Sequence, residues 1–292
     1  MSIIIVDCFI ELIFGFNITG NKSYMDGRIA SFFGKELVVG AFVHGFALYG
    51  LSFLISENKK NYILFLSILI ILTISFLIGE RSNFIKLFFC ISLFSLIVIR
   101  VNYFYKISIL LSIVGIILIF WNFSENYKNR YLYLFNALFE KNGIEKFYKN
   151  SQYGAHKDTA LKIFKEYPIF GVGIKNFRYE SGKQKYFNKE YTVSDRRQAT
   201  HPHQIHLEFL SETGLFGYIS FLIFILSSVI ISTKNYLKNK NIFQLSGIIF
   251  IFSTLIPLLP SGSFLSTFNS SIFWINFAIM VAFYKDLKLN HN

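Results

Sequence analysis

Long apolar stretches separated by short polar segments make up most of the chain outside residues 124–214. A helix needs about 20 predominantly apolar residues to cross a bilayer, within a range of roughly 17–25. Stretches of about this length predict seven transmembrane helices, at 36–56, 62–79, 84–100, 107–123, 215–233, 242–260 and 270–285. The predicted fold is therefore all-α, a polytopic membrane helix bundle.

The first 16 residues are also apolar, but Asp7 and Glu11 interrupt them. We expect an interfacial helix or the stub of a span at this position. A signal peptide is not expected, because a basic start and a small-residue cleavage site are both missing.

The distribution of basic residues predicts the orientation of the chain. Cytoplasmic loops of membrane proteins carry an excess of Lys and Arg. Nine such residues lie in one set of short segments, 57–61, 100–106, 234–241 and 285–292. The alternate short loops, 79–84 and 261–270, contain one, Arg81. We therefore predict that the first set is cytoplasmic and that residues 124–214 form a large, mostly helical extracytoplasmic loop.

The chain is thus predicted to have three parts. Residues 1–123 contain the N-terminal segment and four transmembrane helices, 124–214 form the large loop with the candidate site, and 215–292 contain three further transmembrane helices and a cytoplasmic tail. The loop carries fifteen Lys or Arg against ten Asp or Glu. This balance suits either an anionic partner such as phosphate or a solvated surface near anionic lipid.

Composition supports a membrane protein, since 53% of the residues are hydrophobic and only 16% are charged. The net charge of +12 is expected for a membrane protein, because its excess Lys and Arg lie in cytoplasmic loops or contact lipid headgroups. No zinc-finger spacing or RNA-binding aromatic pair accompanies it, so nucleic acid is not an expected partner. Cys8 and Cys90 lack metal-ligand spacing, and no disulfide framework is predicted.

The end of the large loop is rich in ionisable groups, in the stretch RRQATHPHQIHLEFLSETG at 196–214. Pro202 suits the start of a helix, with Thr200 as its cap, and Gly214 suits its end. On such a helix His203 and His206 share one face, and Glu208 and Glu212 form a second stripe.

Three interpretations of this stretch are open. Its His-x-His-x-x-His spacing, with Glu208 or His156 added, could hold a metal ion, although H-E-x-x-H is absent and arginines surround it. The side chains could instead anchor the loop structurally at the membrane surface. The third interpretation is a general base beside an arginine-bound phosphate. The arginines predicted on the same side of the membrane are Arg28, Arg81, Arg178, Arg196 and Arg197.

Two stretches resemble elements of the O-antigen ligase and O-antigen polymerase superfamily. YPIFGVGIKNF, at 167–177, resembles its P-x-x-G-x-G-x-x-N-F element, and HPHQIHLEFLSETGLFGYISFL, at 201–222, resembles its H-N-x-x-L-x-x-L-x-E-x-G-x-x-G element. On this match His203 takes the place of the family's essential histidine, and Gln204 replaces the usual asparagine. The segments GRIASFFG and GERSNF resemble the family's arginine-containing external segments, which singles out Arg28 and Arg81.

The resemblance implies a membrane glycosyltransferase of the bacterial inner membrane, without metal or other cofactor. It would transfer a glycan from undecaprenyl diphosphate, on the periplasmic face, to lipid A–core or to another lipid-linked repeat unit. His203 would be catalytic. The diphosphate would be bound by Arg28, Arg81, Arg178 and Arg197, and the accessory residues would be His156, His201, His206 and Glu212.

Two features depart from the family. Many members carry an arginine just before the P-x-x-G-x-G element, where this chain offers Tyr153, His156 or Lys157, and we expect His156 to supply the cation. Relatives usually have ten or more spans, so we expect a fragment, a shortened form or half of a split protein. A truncated or non-catalytic subunit of a glycan-assembly complex is therefore an alternative function.

A transporter is a further alternative, from a different class. Transporters tend to carry ionisable groups within spans and to show internal repeats. Here no repeat is evident, and the predicted spans are nearly free of such groups apart from His44 and terminal charges. We expect His44 to be a buried, hydrogen-bonded residue, which disfavours transport.

Overall fold

The computed structural model describes residues 1–98, separate positions between 111 and 137, and residues 139–257 and 259–283. All regular structure within these residues is helical, and they contain no strand. The prediction of an all-α fold is therefore confirmed.

The helices follow the apolar pattern of the sequence, with polar or glycine-containing connections between them. In chain order they are α1 (Ser2–Phe14), α2 (Val39–Ser56), α3 (Asn61–Leu77), α4 (Arg81–Val98), α5 (Gly143–Lys149), α6 (Gln152–Glu166), α7 (Phe177–Glu180), α8 (Ile205–Asn239), α9 (Ile242–Thr254) and α10 (Thr267–Ala282). Short 3-10 helices occupy Ser31–Glu36, Gln184–Tyr186 and Ser194–Arg197.

Membrane-spanning capacity is clearest in α2, α4 and α8. Within the described residues, these three helices are long and apolar enough to cross a bilayer. Helices α3, α9 and α10 are apolar but have only 13 to 17 residues. Six predicted spans overlap these helices, whereas the span at 107–123 lies largely outside the described residues. The protein is thus a multi-pass membrane protein, and the number seven remains a prediction.

The described residues fall into two compact units. The first comprises the described residues within 1–131, 232–253 and 275–283, and the second comprises those within 132–231 and 254–274. Helices α2, α3, α4 and α9 contribute to the core of the first unit, where residues such as Leu51, Ile68, Leu87 and Phe94 are fully buried.

The helix α1 presents its acidic residues inward and its apolar residues outward. Asp7 accepts hydrogen bonds from the Ser31 hydroxyl at 2.6 Å and the Ile18 amide at 2.7 Å. Glu11 accepts from the amides of Ala30 and Ser31. The two carboxylates therefore hold the loop that follows α1, and an outward apolar face suits contact with lipid.

Two ionisable side chains are buried within the predicted spans of the first unit. His44 is hydrogen-bonded through Nε2 to the Ser253 hydroxyl at 2.9 Å, so its predicted buried and bonded state is confirmed. Lys86 is near the start of the predicted span 84–100, but it lies inside α4 with 3% exposure. The spans are thus less free of ionisable groups than the sequence indicated.

The second unit is built around α6. The Ser151 hydroxyl caps this helix by accepting from the Gly154 amide, and the helix ends at Glu166, two residues before Pro168, which disfavours a helical residue before it. Ala160 and Ile163 pack against Phe177 and Tyr186 in a small core. This core fixes the helix that carries Tyr153 and His156.

Candidate active site

The two sequence motifs of the loop form one structural element. The Val172 and Gly173 amides donate to the carbonyls of Ser211 and Glu212, at 3.0 and 2.9 Å. The Leu215 and Phe216 amides donate to those of Pro168 and Ile169, at 2.8 and 3.1 Å. Segments 167–173 and 211–216 are therefore paired along their length.

Two glycines make this pairing possible. Gly171 has φ +66° and Gly214 has φ +64°, a region that favours glycine. A Cβ at Gly171 would lie 2.4 Å from the Glu212 carbonyl carbon, and one at Gly214 would lie 2.3 Å from the Ile169 oxygen. The predicted break at Gly214 is confirmed, because its backbone interrupts the helical path of α8.

Glu212 fixes the turn that follows this pairing. Its carboxylate accepts hydrogen bonds from the amides of Lys175, at 2.6 Å, and Phe177, at 3.2 Å, and the residue is 1% exposed. Arg178 follows directly in sequence. The geometry therefore gives Glu212 a positioning role at the turn that carries Arg178.

The conformation of His203 differs from the prediction. His203 has φ +54° and lies before α8, which begins at Ile205, so its predicted place on a helix face with His206 is wrong. The helix is capped by Gln204, whose side-chain oxygen accepts from the Leu207 amide at 2.8 Å. The predicted cap, Thr200, is instead hydrogen-bonded to His201 Nδ1 at 2.9 Å.

Three aromatic rings surround His203. Together with it they form what we call the histidine cluster: Tyr153, His156, His201 and His203. The His203 ring centroid lies 4.1 Å from that of His201 and 5.1 Å from that of His156, with which it stacks. Tyr153 approaches the edge of His203 at 5.8 Å. Helix α6 and the segment before α8 thus bring together His156, His201 and His203.

Burial lowers the pKa of all three histidines in the histidine cluster. Burial, followed by the neighbouring histidines, lowers the pKa of His203 to about 3. Burial, together with His156 and Arg178, lowers the pKa of His201 to about 4. Burial also lowers the pKa of His156. Desolvation disfavours the charged form of His156, so the expectation that it supplies a cation gains no support and stays a prediction.

His156 nevertheless offers a proton acceptor to the cluster. Its Nε2 lies 2.9 Å from the Arg196 carbonyl oxygen, which can only accept, so Nε2 carries the hydrogen. Nδ1 then has a free lone pair. This atom and Arg178 Nε are both buried and without a hydrogen-bond partner in the described part of the chain. His156 Nδ1 can therefore accept a hydrogen bond from a ligand, and Arg178 Nε can donate one.

A second set of contacts holds the segment after Gln204 against residues 255–264. His206 donates through Nε2 to the Leu255 carbonyl at 2.9 Å and accepts at Nδ1 from the Tyr218 hydroxyl at 3.0 Å. Glu208 accepts from the Ser263 hydroxyl and from the Phe264 amide, the latter at 2.7 Å. These contacts give His206 and Glu208 a structural role, which sequence spacing alone did not reveal.

The metal-ion interpretation of the histidine stretch finds no support among the described residues. Throughout the residues described, no three His, Cys, Asp or Glu side chains are arranged to hold a metal ion. The stacked rings of His156 and His203 explain this in part, because stacked imidazoles do not direct their nitrogens at a common point.

Arg197 is engaged by the loop itself. It is 6% exposed and donates to the carbonyls of Ser194 at 3.2 Å, Gly182 at 3.0 Å and Lys183 at 3.3 Å. These contacts stabilise the loop between α7 and α8. Phosphate binding by Arg197 remains a prediction, and its geometry favours a structural role.

In the first unit, Arg28 lies against the turn that precedes Arg81. Its guanidinium contacts Glu80 Oε1 at 3.0 Å and donates to the Leu37 carbonyl at 2.8 Å. The Ile29 amide donates to the Ile78 carbonyl at 3.2 Å, and a Cβ at Gly79 would lie 2.1 Å from the Gly27 oxygen. Two arginine segments distant in sequence therefore meet at one turn.

The apolar helices, three of which are long enough to cross a bilayer among the described residues, define a multi-pass membrane protein. The sequence model described as O-antigen ligase matches residues 64–222, more than half of the 292 residues. The chain therefore belongs to the O-antigen ligase family, and the resemblance noted in the sequence is confirmed. No curated protein matches the chain significantly. The match includes both loop motifs and Arg81, whereas Arg28 precedes it.

Proposed function

We propose that the protein is a glycosyltransferase that moves a glycan from undecaprenyl diphosphate to an acceptor hydroxyl. The acceptor is lipid A–core, as in a ligase, or another lipid-linked repeat unit, as in a polymerase. The observation that carries this proposal is the grouping of His156 and His201 around His203, which lies in one of the two family motifs. Family membership supports lipid-linked glycans as the substrate class.

The chemistry needs a proton acceptor beside the acceptor hydroxyl. A neutral imidazole can take that proton while the hydroxyl oxygen forms a bond to the anomeric carbon and the bond from that carbon to the diphosphate breaks. We assign this step to His203, with His156 and His201 as its supporting residues. The protonated imidazole is then stabilised by the negative charge that develops on the leaving diphosphate.

The leaving diphosphate needs cationic hydrogen-bond donors. The planar guanidinium fork of arginine binds phosphate oxygens in pairs and keeps its charge when partly buried. We assign this role to Arg28 and Arg81, on the support of the family resemblance and of their meeting at one turn. In the second unit, Arg178 is the arginine that interacts electrostatically with His201 and Glu212.

We further propose that the large loop faces the periplasm of a bacterial inner membrane. The excess of Lys and Arg in the opposite set of short loops supports this orientation. Lipid-linked glycan and acceptor would then meet at the membrane surface. Holding both there supplies much of the expected rate enhancement, because reaction becomes effectively unimolecular.

Complementation tests the proposed function. The chain is expressed in a bacterium that lacks its own ligase or polymerase, and surface glycans are compared for wild type, His203→Ala and Arg81→Ala. Arg196→Ala, which changes an exposed arginine of the same loop, is the matched control. We expect wild type and the control to restore glycan and the other two variants to fail at equal membrane abundance.

The glycan profile also separates the alternatives. Attachment of finished glycans indicates a ligase, and a ladder of glycans of increasing length indicates a polymerase. A wild-type chain that is present in the membrane but restores no glycan would contradict the proposal and favour the non-catalytic subunit.

A further inference from the structure

Apolar side chains project from one edge of the second unit, on the two segments that pair across Gly171 and Gly214. Their exposed fractions are 62% for Ile169, 70% for Phe170, 62% for Ile174 and 67% for Phe216. The Phe170 and Phe216 ring centroids lie 5.9 Å apart, so the two segments share one apolar surface. We call these four residues the apolar edge.

The exposure of the apolar edge is fixed by the fold. The Phe216 amide donates to the Ile169 carbonyl at 3.1 Å, which holds both segments in register. On the opposite side of the turn Phe177 is fully buried against the core of the unit. The edge side chains therefore cannot turn inward without breaking the pairing. A contiguous exposed apolar surface of this kind marks a site of interaction.

Continuity with α8 indicates what covers this surface. Phe216 lies at the start of the apolar part of α8, a helix that is long and apolar enough to cross a bilayer. The apolar residues Ile219 and Ile223 are also exposed along this helix. The apolar edge therefore continues the exposed apolar surface of a helix that can cross a bilayer.

The charges beside the apolar edge also suit a membrane surface. Lys165 and Lys175 are exposed and flank the edge in sequence. Basic side chains next to an inserted apolar surface are attracted to the phosphates of lipid headgroups.

We propose that the apolar edge inserts into the acyl chains of the phospholipid leaflet on its own side of the membrane. The inserted edge anchors the paired segments, and with them the histidine cluster, at the level of the headgroups. This inference concerns contact with phospholipid and holds whether or not the protein transfers a glycan.

Fluorescence quenching by brominated phospholipids tests the insertion. Phe170→Trp is introduced into the full chain after Trp121 and Trp274 are replaced by Phe, and the protein is reconstituted into phosphatidylethanolamine and phosphatidylglycerol vesicles. Ile223→Trp, on the apolar part of α8, gives the reference for lipid contact. Glu190→Trp, in an exposed polar turn, gives the reference for water. Ile169→Trp provides a second probe of the edge.

We expect both edge probes to be quenched nearly as strongly as Ile223→Trp and to be shielded from aqueous acrylamide. Quenching no stronger than at Glu190→Trp would overturn the proposal in favour of a water-exposed edge. Blue-shifted emission without quenching would overturn it in favour of a protein surface, including a second copy. Quenching by brominated polyisoprenoid lipid alone would overturn it in favour of the substrate lipid.

Discussion

The imidazole rings of His156 and His203 stack with their centroids 5.1 Å apart and an angle of 23° between their planes. His156 belongs to α6, and His203 precedes α8. The stack therefore forms only when the large loop folds onto the start of α8. This relationship connects the fold of the loop to the proposed base.

The backbone of His203 provides a first prediction. Its φ of +54° costs a non-glycine residue roughly 1–2 kcal/mol. His203→Gly and His203→Ala both remove the imidazole, but only glycine relieves this strain. We expect His203→Gly to be the more stable variant by about 1 kcal/mol in thermal unfolding, while both lose transfer activity. Equal stability of the two variants would contradict the left-handed conformation.

The close approach at Gly171 provides a second prediction. Gly171→Ala places a Cβ against the Glu212 backbone and also strains φ, whereas Gly20→Ala strains φ alone, because nothing lies within 4 Å of its Cβ. We expect Gly171→Ala to be more destabilising than Gly20→Ala by about 1–3 kcal/mol, the usual cost of overpacking. Matched unfolding midpoints for the two variants would show that segments 167–173 and 211–216 are not in contact.

The buried carboxylate of Glu212 provides a third prediction. Glu212→Ala leaves the Lys175 and Phe177 amides without their acceptor, at a cost of roughly 1–3 kcal/mol for each buried group. We expect lower thermal stability and weaker transfer, whereas Glu190→Ala, at an exposed site, changes neither. A Glu212→Ala protein as stable as wild type would contradict the positioning role.

The histidine cluster provides a fourth prediction, which concerns pH. Because the folded pKa values, about 3 for His203 and about 4 for His201, lie below the ordinary value of 6.5, the unfolded chain binds more protons at acidic pH. The stabilisation by neutral histidines is complete above pH 6.5 and is lost as pH falls towards these folded values. We expect the unfolding temperature of wild type to fall over this range.

Substitution checks the origin of this pH dependence. Asparagine does not titrate and tolerates a left-handed backbone, so the double variant His201→Asn/His203→Asn should show a flatter dependence between pH 6.5 and about 4. An unchanged slope in this variant would assign the acid sensitivity to other groups.

Much of the fold could be predicted, because helices and helix breaks depend on residues that are close together in the sequence. The apolar stretches indicated helices, and Gly214 indicated the break in α8. The inward acids of α1 were not predictable in this way. Asp7 and Glu11 were expected to interrupt a span, but they bind a loop that is distant in sequence.

The site was predictable in its residues and less so in its geometry. The motifs indicated His203, and the structure groups it with His156 and His201. The left-handed backbone conformation of His203 could not be predicted from the sequence. Its carbonyl accepts a hydrogen bond from the Ser261 amide at 2.9 Å, and this contact forms only in the folded protein. For the same reason, the structural contacts of Arg197 could not be distinguished from phosphate binding.

The central claim, that His203 is the base for glycan transfer, is tested most directly by a transfer assay in proteoliposomes. Glycan on undecaprenyl diphosphate is supplied with the acceptor, and the release of undecaprenyl diphosphate is timed for wild type and His203→Ala at equal protein. Loss of a general base typically slows a reaction by about 10²–10⁴-fold, and we predict a decrease of this size. A His203→Ala rate equal to wild type, in a preparation where wild type is active, would contradict the account.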